Sequence, residues 1–136
     1  MEKDTITVLY KEPYREPREI TIPNTLENFQ QTVRGYIQMI PAVTFTGTKG
    51  GRRLVLICDE EAKLKEPKPL ANLFLGEPPL WDIVYGPVVV CAAEEEWFDG
   101  LTEDELHITE AWLRMVEIVK VGDAPERHGT YRIEED

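Results

Sequence analysis

The chain is poor in the residues that usually carry metal or nucleophilic chemistry. It has two cysteines, Cys58 and Cys91, and two histidines, His107 and His128, among 136 residues. Each cysteine lies inside an apolar run and no Cys-x-x-Cys pair exists, which predicts two buried free thiols in a reducing cytoplasm rather than a disulfide. Asp104 and His107 have helical spacing, but without a further ligand they do not make a metal site. We therefore expect neither a metal nor a cofactor.

Long apolar runs and nucleotide-binding loops are also missing. No apolar run approaches the ~20 residues that span a bilayer, and the opening residues 1–4 are unlike a targeting segment. The glycine-rich stretch 46–51 is followed by a predicted strand, whereas a phosphate-binding Walker loop is followed by a helix. With no catalytic signature elsewhere, we expect a cytoplasmic protein that is not an enzyme and does not act at a membrane.

Acidic charge is abundant, and it is concentrated at one end of the chain. Residues 1–93 carry 12 acidic and 11 basic side chains, whereas residues 94–136 carry 14 acidic and 4 basic ones. The sequence therefore predicts a near-neutral α+β core over 1–93 and an acidic C-terminal extension over 94–136 that packs on it. A basic stripe for DNA or RNA is absent, so direct nucleic-acid binding is not expected.

Hydrophobic patterning predicts an α+β fold. Helix-capping patterns begin at Asn24 and at Thr102, and the second helix is expected to run to about Met115. The predicted architecture is a mainly antiparallel sheet with two helices on one face. Strands are expected at 5–10, 18–22, 36–40 and 52–59, with a short helix at 70–75 and one interrupted strand over 81–92.

The end of the chain allows two interpretations. Residues 116–121 are dense in β-branched side chains, which favours a strand that pairs with 130–134 in a C-terminal hairpin. The alternative is a helix that continues to Lys120. Strand order and oligomeric state are not fixed by such patterns, so a homodimer through an open sheet edge stays open.

The acidic segment between Glu94 and Glu117 is the main functional candidate. Its carboxylates are opposed only by Arg114, so they offer negative charge to a basic partner and compete with nucleic acid for a basic groove. Large aromatic side chains among the acids are expected to anchor that partner. The alternative is a solvated amphipathic helix whose apolar side faces the core. The predicted partner-binding residues are Glu94, Glu95, Glu96, Trp97, Phe98, Asp99, Glu103, Asp104, Glu105, Glu110 and Trp112.

A second candidate site is basic. Arg52 and Arg53 are adjacent, and Lys49 lies in the glycine-rich stretch just before them. Together with the aromatic residues Tyr36 and Trp81, they define a hypothetical pocket for a small nucleotide-like ligand that is bound without turnover. The alternative for the arginine pair is solubility at a sheet edge.

Four segments of the chain carry a resemblance to one family. They are Pro17-Arg18-Glu19-Ile20 with Thr25-Leu26-Glu27, Gly35-Tyr36-Ile37-Gln38-Met39-Ile40-Pro41, Leu54-Val55-Leu56-Ile57-Cys58-Asp59-Glu60-Glu61-Ala62-Lys63-Leu64 and Trp81-Asp82-Ile83-Val84-Tyr85-Gly86-Pro87-Val88-Val89-Val90-Cys91. This pattern resembles the domain-of-unknown-function 3846 family over about residues 5–106. The resemblance implies an accessory protein of a phage or other mobile element, and it supplies no catalytic residues because the family has no established activity.

These features favour a non-enzymatic phage-type binding protein that inhibits a host nucleic-acid-acting defence system, of restriction or CRISPR type, through an acidic, DNA-mimicking surface. Its expected partner is a basic host protein or nucleoprotein complex in the host cytoplasm. One alternative is a protein that sequesters a small nucleotide signal, and another is an uncharacterised small enzyme. The inhibitor and the nucleotide-sequestering protein differ in how their binding depends on salt. Only the binding of the inhibitor to a basic partner is expected to weaken steeply as the salt concentration is raised.

Overall fold

The computed structural model describes residues 4–44, 52–76, 82–121 and 124–127. These residues form a large antiparallel sheet, two smaller two-stranded sheets and two α-helices. In chain order the elements are β1 (Thr5–Lys11), β2 (Arg18–Pro23), α1 (Leu26–Val33), β3 (Ile37–Thr44), β4 (Arg53–Asp59), β5 (Ala71–Leu75), β6 (Asp82–Tyr85), β7 (Val88–Ala93), β8 (Phe98–Asp99), α2 (Glu103–Val116), β9 (Ile118–Val121) and β10 (Ala124–Arg127).

The large sheet has the strand order β2-β1-β7-β4-β3, and the short strand β8 also pairs with β7. Every pairing in it is antiparallel, so the predicted α+β class with a mainly antiparallel sheet is confirmed. β3 contains Pro41 and lies at the edge of this sheet. An edge strand tolerates proline because the missing N–H can face away from the neighbouring strand.

The two helices cover opposite faces of the sheet, so the prediction that they share one face was wrong. Phe29 and Val33 of α1 are buried in one hydrophobic core, while Leu113 and Val116 of α2 are buried in another. The physical reason is that β4 and β7 are apolar at nearly every position, as strands covered on both faces are. Along β4, Val55 and Ile57 face α1, and Leu54, Leu56 and Cys58 face α2.

Three further expectations need correction in detail. The short helix expected at 70–75 is strand β5, which pairs with β6 outside the large sheet. The single interrupted strand is two strands, β6 and β7, because Gly86 turns the chain with a φ of 82°. The C-terminal hairpin forms, but β9 pairs with β10 at Ala124–Arg127. The expected partner strand 130–134 lies outside the described residues.

The boundary between α2 and β9 resolves the open alternative at 116–121. The helix ends at Val116, and Ile118–Val121 is a strand, which confirms the strand interpretation. The predicted capping box of α2 is also confirmed, since the Thr102 hydroxyl accepts from the Glu105 amide while the Glu105 carboxylate accepts from the Thr102 amide at 2.8 Å.

The N-terminus of α1 differs by one residue from the expectation. Thr25, rather than Asn24, caps the helix by accepting a hydrogen bond from the Asn28 amide at 3.2 Å. Asn24 is buried instead, where its side chain donates to the Phe98 carbonyl and accepts from the Trp97 indole. This asparagine therefore ties the start of α1 to strand β8.

Candidate functional site

Arg52 is the centre of the acidic segment, because it holds three separate carboxylates together. Its guanidinium donates to Glu105 at 2.5 and 3.1 Å, to Asp99 at 2.8 Å and to Glu94 at 3.1 Å. A fifth hydrogen bond reaches the Gly100 carbonyl at 2.7 Å. Since a guanidinium has five N–H donors, this side chain has none left for a ligand.

Glu105 is the most buried of the three carboxylates, with 1% of its surface exposed. Burial alone would raise its pKa, but hydrogen bonds from Arg52 and from the Thr102 amide outweigh burial and hold the pKa below its ordinary value. The same contact with Glu105 is the main reason that the pKa of Arg52 is raised. The pair is therefore charged, and it fixes the first turn of α2 to the start of β4.

Several of the predicted partner-binding acids make ion pairs within the molecule. Glu105 is buried, and Asp99 is committed to Arg52. Glu94 is half-exposed, but it also pairs with Arg52. Glu110 is 3.9 Å from Arg114, one helical turn later. For Glu94, Asp99 and Glu105 the cation is Arg52, which the local sequence does not reveal.

The predicted aromatic anchors are partly buried and pack against the protein's own core. Trp97 and Phe98 pack edge-on against the buried ring of Phe29, with ring centroids 6.2 and 5.2 Å apart respectively. The Trp97 indole also donates to Asn24 at 2.9 Å. Trp112 is half-buried against the core beneath α2. Aromatic side chains in such edge-to-face contacts are stabilising, so the fold uses them itself.

What remains exposed forms a single acidic end of the molecule. Glu95 and Glu96 lie in the β7–β8 turn, while Glu103 and Asp104 lie in the first turn of α2. Arg52 brings the two turns together, since it contacts acids from both. Among the described residues, Glu95, Glu96 and Asp104 have no cationic partner. We call these four exposed acids and the turns that carry them the acidic end.

The predicted ligand pocket does not form as a unit. Tyr36 lies beside the pairing of Ile37 with Asp59, at the opposite end of β4 from Arg53. A seven-residue strand rises ~3.3 Å per residue, so Tyr36 and the arginine pair are about 20 Å apart. Arg52 is saturated by carboxylates, and only Arg53 stays exposed. The remaining two predicted members, Lys49 and Trp81, lie outside the described residues.

A groove that sequence reasoning missed lies between α1 and the turn that follows β4. Its volume is about 480 Å³. It is lined by Glu27, Gln30, Gln31, Tyr36, Glu61 and Lys65, with Gly35 between the helix and the strand. We call this cavity the α1 groove.

Gly35 and Asp59 hold the α1 groove in shape. A Cβ atom at Gly35 would lie 2.2 Å from a carboxylate oxygen of Asp59, so no other residue fits there without movement. That buried carboxylate accepts from the Glu61 amide at 3.0 Å and pairs with Lys65 at 2.5 Å. Lys65 also donates to the Arg34 carbonyl at the end of α1. The helix end and the turn are therefore fastened together.

We expect Gly35→Ala to lower the free energy of unfolding by about 1–3 kcal/mol, the usual cost of forcing a methyl group into a filled site. The matched control is Arg34→Gly. Arg34, not Gly35, adopts the left-handed conformation, with a φ of 65°, so glycine there relieves strain while freeing the unfolded chain. Its effect should stay below about 1 kcal/mol. Urea unfolding of both variants checks this, and a harmless Gly35→Ala would contradict the close approach.

A buried lysine is a second feature that the sequence did not reveal. Lys11 has no exposed surface, and its ammonium donates to the Asn72 side chain at 2.7 Å and to the Glu12 carbonyl at 3.2 Å. Burial lowers the pKa of Lys11 to about 8, although the negative charge of Glu117 opposes that shift. Asn72 in turn donates to the Lys11 and Gly86 carbonyls. The cluster joins β1 to strand β5, and its burial leaves no access for a substrate.

The cysteines behave as the sequence predicts. Cys58 and Cys91 are both buried and free. Burial raises the pKa of Cys58 to about 11 and that of Cys91 to about 12. A thiol with so high a pKa is protonated at neutral pH and is a poor nucleophile.

Within the described ranges, no helix has the length and apolar character needed to cross a bilayer.

The geometry defines a small α+β protein with a two-sided sheet and an acidic end stabilised by one arginine. A family model described as "Domain of unknown function (DUF3846)" matches residues 6–116, and the chain belongs to this family. The match runs through β8 and α2, so it includes the acidic end as well as the near-neutral part of the chain. No curated protein and no solved structure matches the chain.

Proposed function

We propose that this protein is a non-enzymatic phage or mobile-element protein that inhibits a host nucleic-acid-acting defence system, of restriction or CRISPR type, in the host cytoplasm. The observation that supports the proposal is the acidic end. Residues 94–105 contain seven acids and no base. Five of those acids are exposed on two adjoining turns, and four of the five lie outside the Arg52 network. A partner that normally binds a polyanion presents the complementary basic surface.

The arginine network explains why such a surface would be effective. Carboxylates on a flexible tail lose conformational freedom when they bind, which weakens association. Here Arg52 fixes the β7–β8 turn against the first turn of α2, through Glu94 on one side and Glu105 on the other. The exposed acids next to these anchors are thus held in position before a partner arrives. The contribution of the proposed surface is electrostatic, since the neighbouring aromatic rings belong to the core.

We expect the triple variant Glu95→Lys, Glu96→Lys, Asp104→Lys to lose at least tenfold in affinity for a defence complex, because each substitution turns attraction into repulsion. Tagged protein would capture defined restriction and CRISPR complexes at low and at high salt, and inhibition of DNA cleavage would be assayed in parallel. Binding should weaken steeply as salt is raised.

The matched control is the triple variant Glu16→Lys, Glu60→Lys, Glu66→Lys, which makes the same change in net charge. These three acids are exposed. Glu16 faces Arg114 in the last turn of α2, while Glu60 and Glu66 follow the far end of β4. The control variant should keep its affinity within about threefold, since distant surface charges are largely screened at physiological salt. Equal losses in both variants would show that only net charge matters, and the absence of any captured complex or inhibition would refute the proposal.

A further inference from the structure

The side chains that line the α1 groove are separate from the acidic end and have no role in the function proposed for it. Tyr36 is 65% exposed, although a large aromatic side chain usually buries more of its surface. Its backbone is held in place, because the Tyr36 carbonyl accepts from the Glu60 amide at 2.7 Å. An exposed but positioned tyrosine is typical of binding surfaces, where an aromatic ring offers contact area at low entropic cost.

The charges around this ring favour a cation. Glu27 and Glu61 line the groove and are exposed. The lysine in the lining, Lys65, is already paired with Asp59 and with the Arg34 carbonyl. The two glutamates are therefore not neutralised by it. A phosphate group would be repelled here, and the net charge of −11 adds to that repulsion.

The groove also combines an aromatic face with acceptors at its sides. A guanidinium group is planar, stacks on aromatic rings and donates five hydrogen bonds, which a lysine ammonium cannot match. Glu27 and Glu61 supply carboxylate acceptors, and the amides of Gln30 and Gln31 supply carbonyl oxygens. The groove thus offers each type of contact that an arginine side chain makes.

Two parts of the sequence that are distant along the chain meet at this place. Of the four segments that carry the family resemblance, the one that contains Tyr36 and the one that contains Glu61 both contribute to the lining. The hydrogen bond from the Glu60 amide to the Tyr36 carbonyl fastens the two segments to each other. The groove is therefore formed by the fold in advance of any ligand, as binding sites usually are.

We propose that the α1 groove receives an arginine side chain of a protein partner, with the guanidinium stacked on Tyr36 and hydrogen-bonded to Glu27 and Glu61. This inference rests on the proposed function to the extent that the partner is basic, and it adds the kind of side chain that is recognised. The groove and the acidic end lie at opposite ends of β4, so a partner that fills both would span the length of that strand.

The test uses three small probes with the full chain, followed by amide NMR. The methylamides of Nα-acetyl-arginine, Nα-acetyl-lysine and Nα-acetyl-citrulline separate the effect of charge from that of planarity. The arginine probe should shift the Tyr36 and Glu61 amide signals and bind at least fivefold more tightly than the other two. Tyr36→Leu should abolish this preference, while Tyr36→Phe, which keeps the ring, should retain the affinity within twofold.

Several results would overturn the inference. Equal affinity for arginine and lysine would show that charge alone attracts the probe. Signal changes away from the groove, or binding of adenosine with no preference for arginine, would assign the site to other chemistry. Because the probes need no partner, the Glu95→Lys, Glu96→Lys, Asp104→Lys variant should bind arginine within twofold of the unaltered protein. An inability to capture a defence complex is therefore distinguishable from an inability of the α1 groove to bind the arginine probe.

Discussion

Arg52→Leu is expected to lower the free energy of unfolding by about 3–5 kcal/mol, the usual cost of leaving a buried charge without its partner. The substitution removes five hydrogen bonds at once. Glu105, which is 1% exposed, would then be a buried carboxylate whose only remaining stabilisation comes from the capping box. Urea unfolding at neutral pH, followed by circular dichroism, measures the loss.

Three controls separate this network from a general charge effect. Arg53→Leu removes the same charge at an exposed neighbouring position and should change stability by less than about 0.5 kcal/mol. Glu94→Gln removes the exposed rim of the network and should cost about 1 kcal/mol or less. Arg52→Lys keeps the charge but lacks the planar array of donors, so an intermediate loss is expected. If Arg52→Leu were no more harmful than Arg53→Leu, the network would not stabilise the fold.

The Arg52 network also shows why the acidic end was only partly predictable. The capping box of Thr102 and Glu105 is a local pattern and was read correctly. The cation that Glu105 also binds is 53 residues away in the sequence, and nothing local indicates that pairing. Arg52 was therefore assigned to a ligand and Glu105 to a partner, whereas they neutralise each other. Long-range ion pairs of this kind depend on strand order, which single-sequence patterns do not determine.

The placement of the helices on opposite faces has a signal in the sequence. Residues 54–58 and 88–93 are unbroken apolar runs. A strand with one solvated face alternates, whereas an unbroken run is typical of a strand covered on both sides. The runs therefore favoured one helix on each face. Segment 70–75 had no such signal, because five apolar positions in a short stretch suit a strand or a helix turn equally well.

The groove and the aromatic cluster show two different limits of sequence patterns. Glycine after a helix is typical of a left-handed helix end, but Arg34 takes that conformation and Gly35 makes room for Asp59. Trp97 and Phe98 were expected to face a partner because acids surround them. Their packing against Phe29 follows from the pairing of β7 with β8. A strand of only two residues, such as β8, has no recognisable pattern in the sequence. Local preference was right about the type of α1 and α2, and tertiary contacts decided the use of each side chain.

Stability is expected to rise between pH 7 and about 9 and to fall steeply at higher pH. The rise comes from Lys11, whose native pKa is about 8 against an ordinary value of 10.5. Between these values the unfolded chain holds a proton that the native protein has lost. Stability therefore increases with pH by up to about 1.4 kcal/mol per pH unit from this group.

The fall comes from the two cysteines. Their native pKa values of about 11 for Cys58 and about 12 for Cys91 exceed the ordinary value of 9. Above pH 9 the unfolded chain loses thiol protons that the native protein keeps, so each thiol opposes folding by up to about 1.4 kcal/mol per pH unit. Together they outweigh Lys11. The buried Tyr10, whose pKa is also raised, acts in the same direction. We expect a net loss of about 2–3 kcal/mol between pH 9 and pH 11.

Urea unfolding from pH 7 to pH 11 under reducing conditions measures both slopes, and two sets of variants assign them. Lys11→Met removes the titrating ammonium and should flatten the rise below pH 9, whatever its effect at a single pH. The double variant Cys58→Ala, Cys91→Ala should leave mainly the tyrosine contribution to the fall. A rise that persists without Lys11, or an unchanged fall without both thiols, would contradict the assignments. If Lys11→Met does not fold, NMR titration of the Lys11 side chain gives its native pKa directly, and a value near 10.5 would exclude it as the origin of the rise.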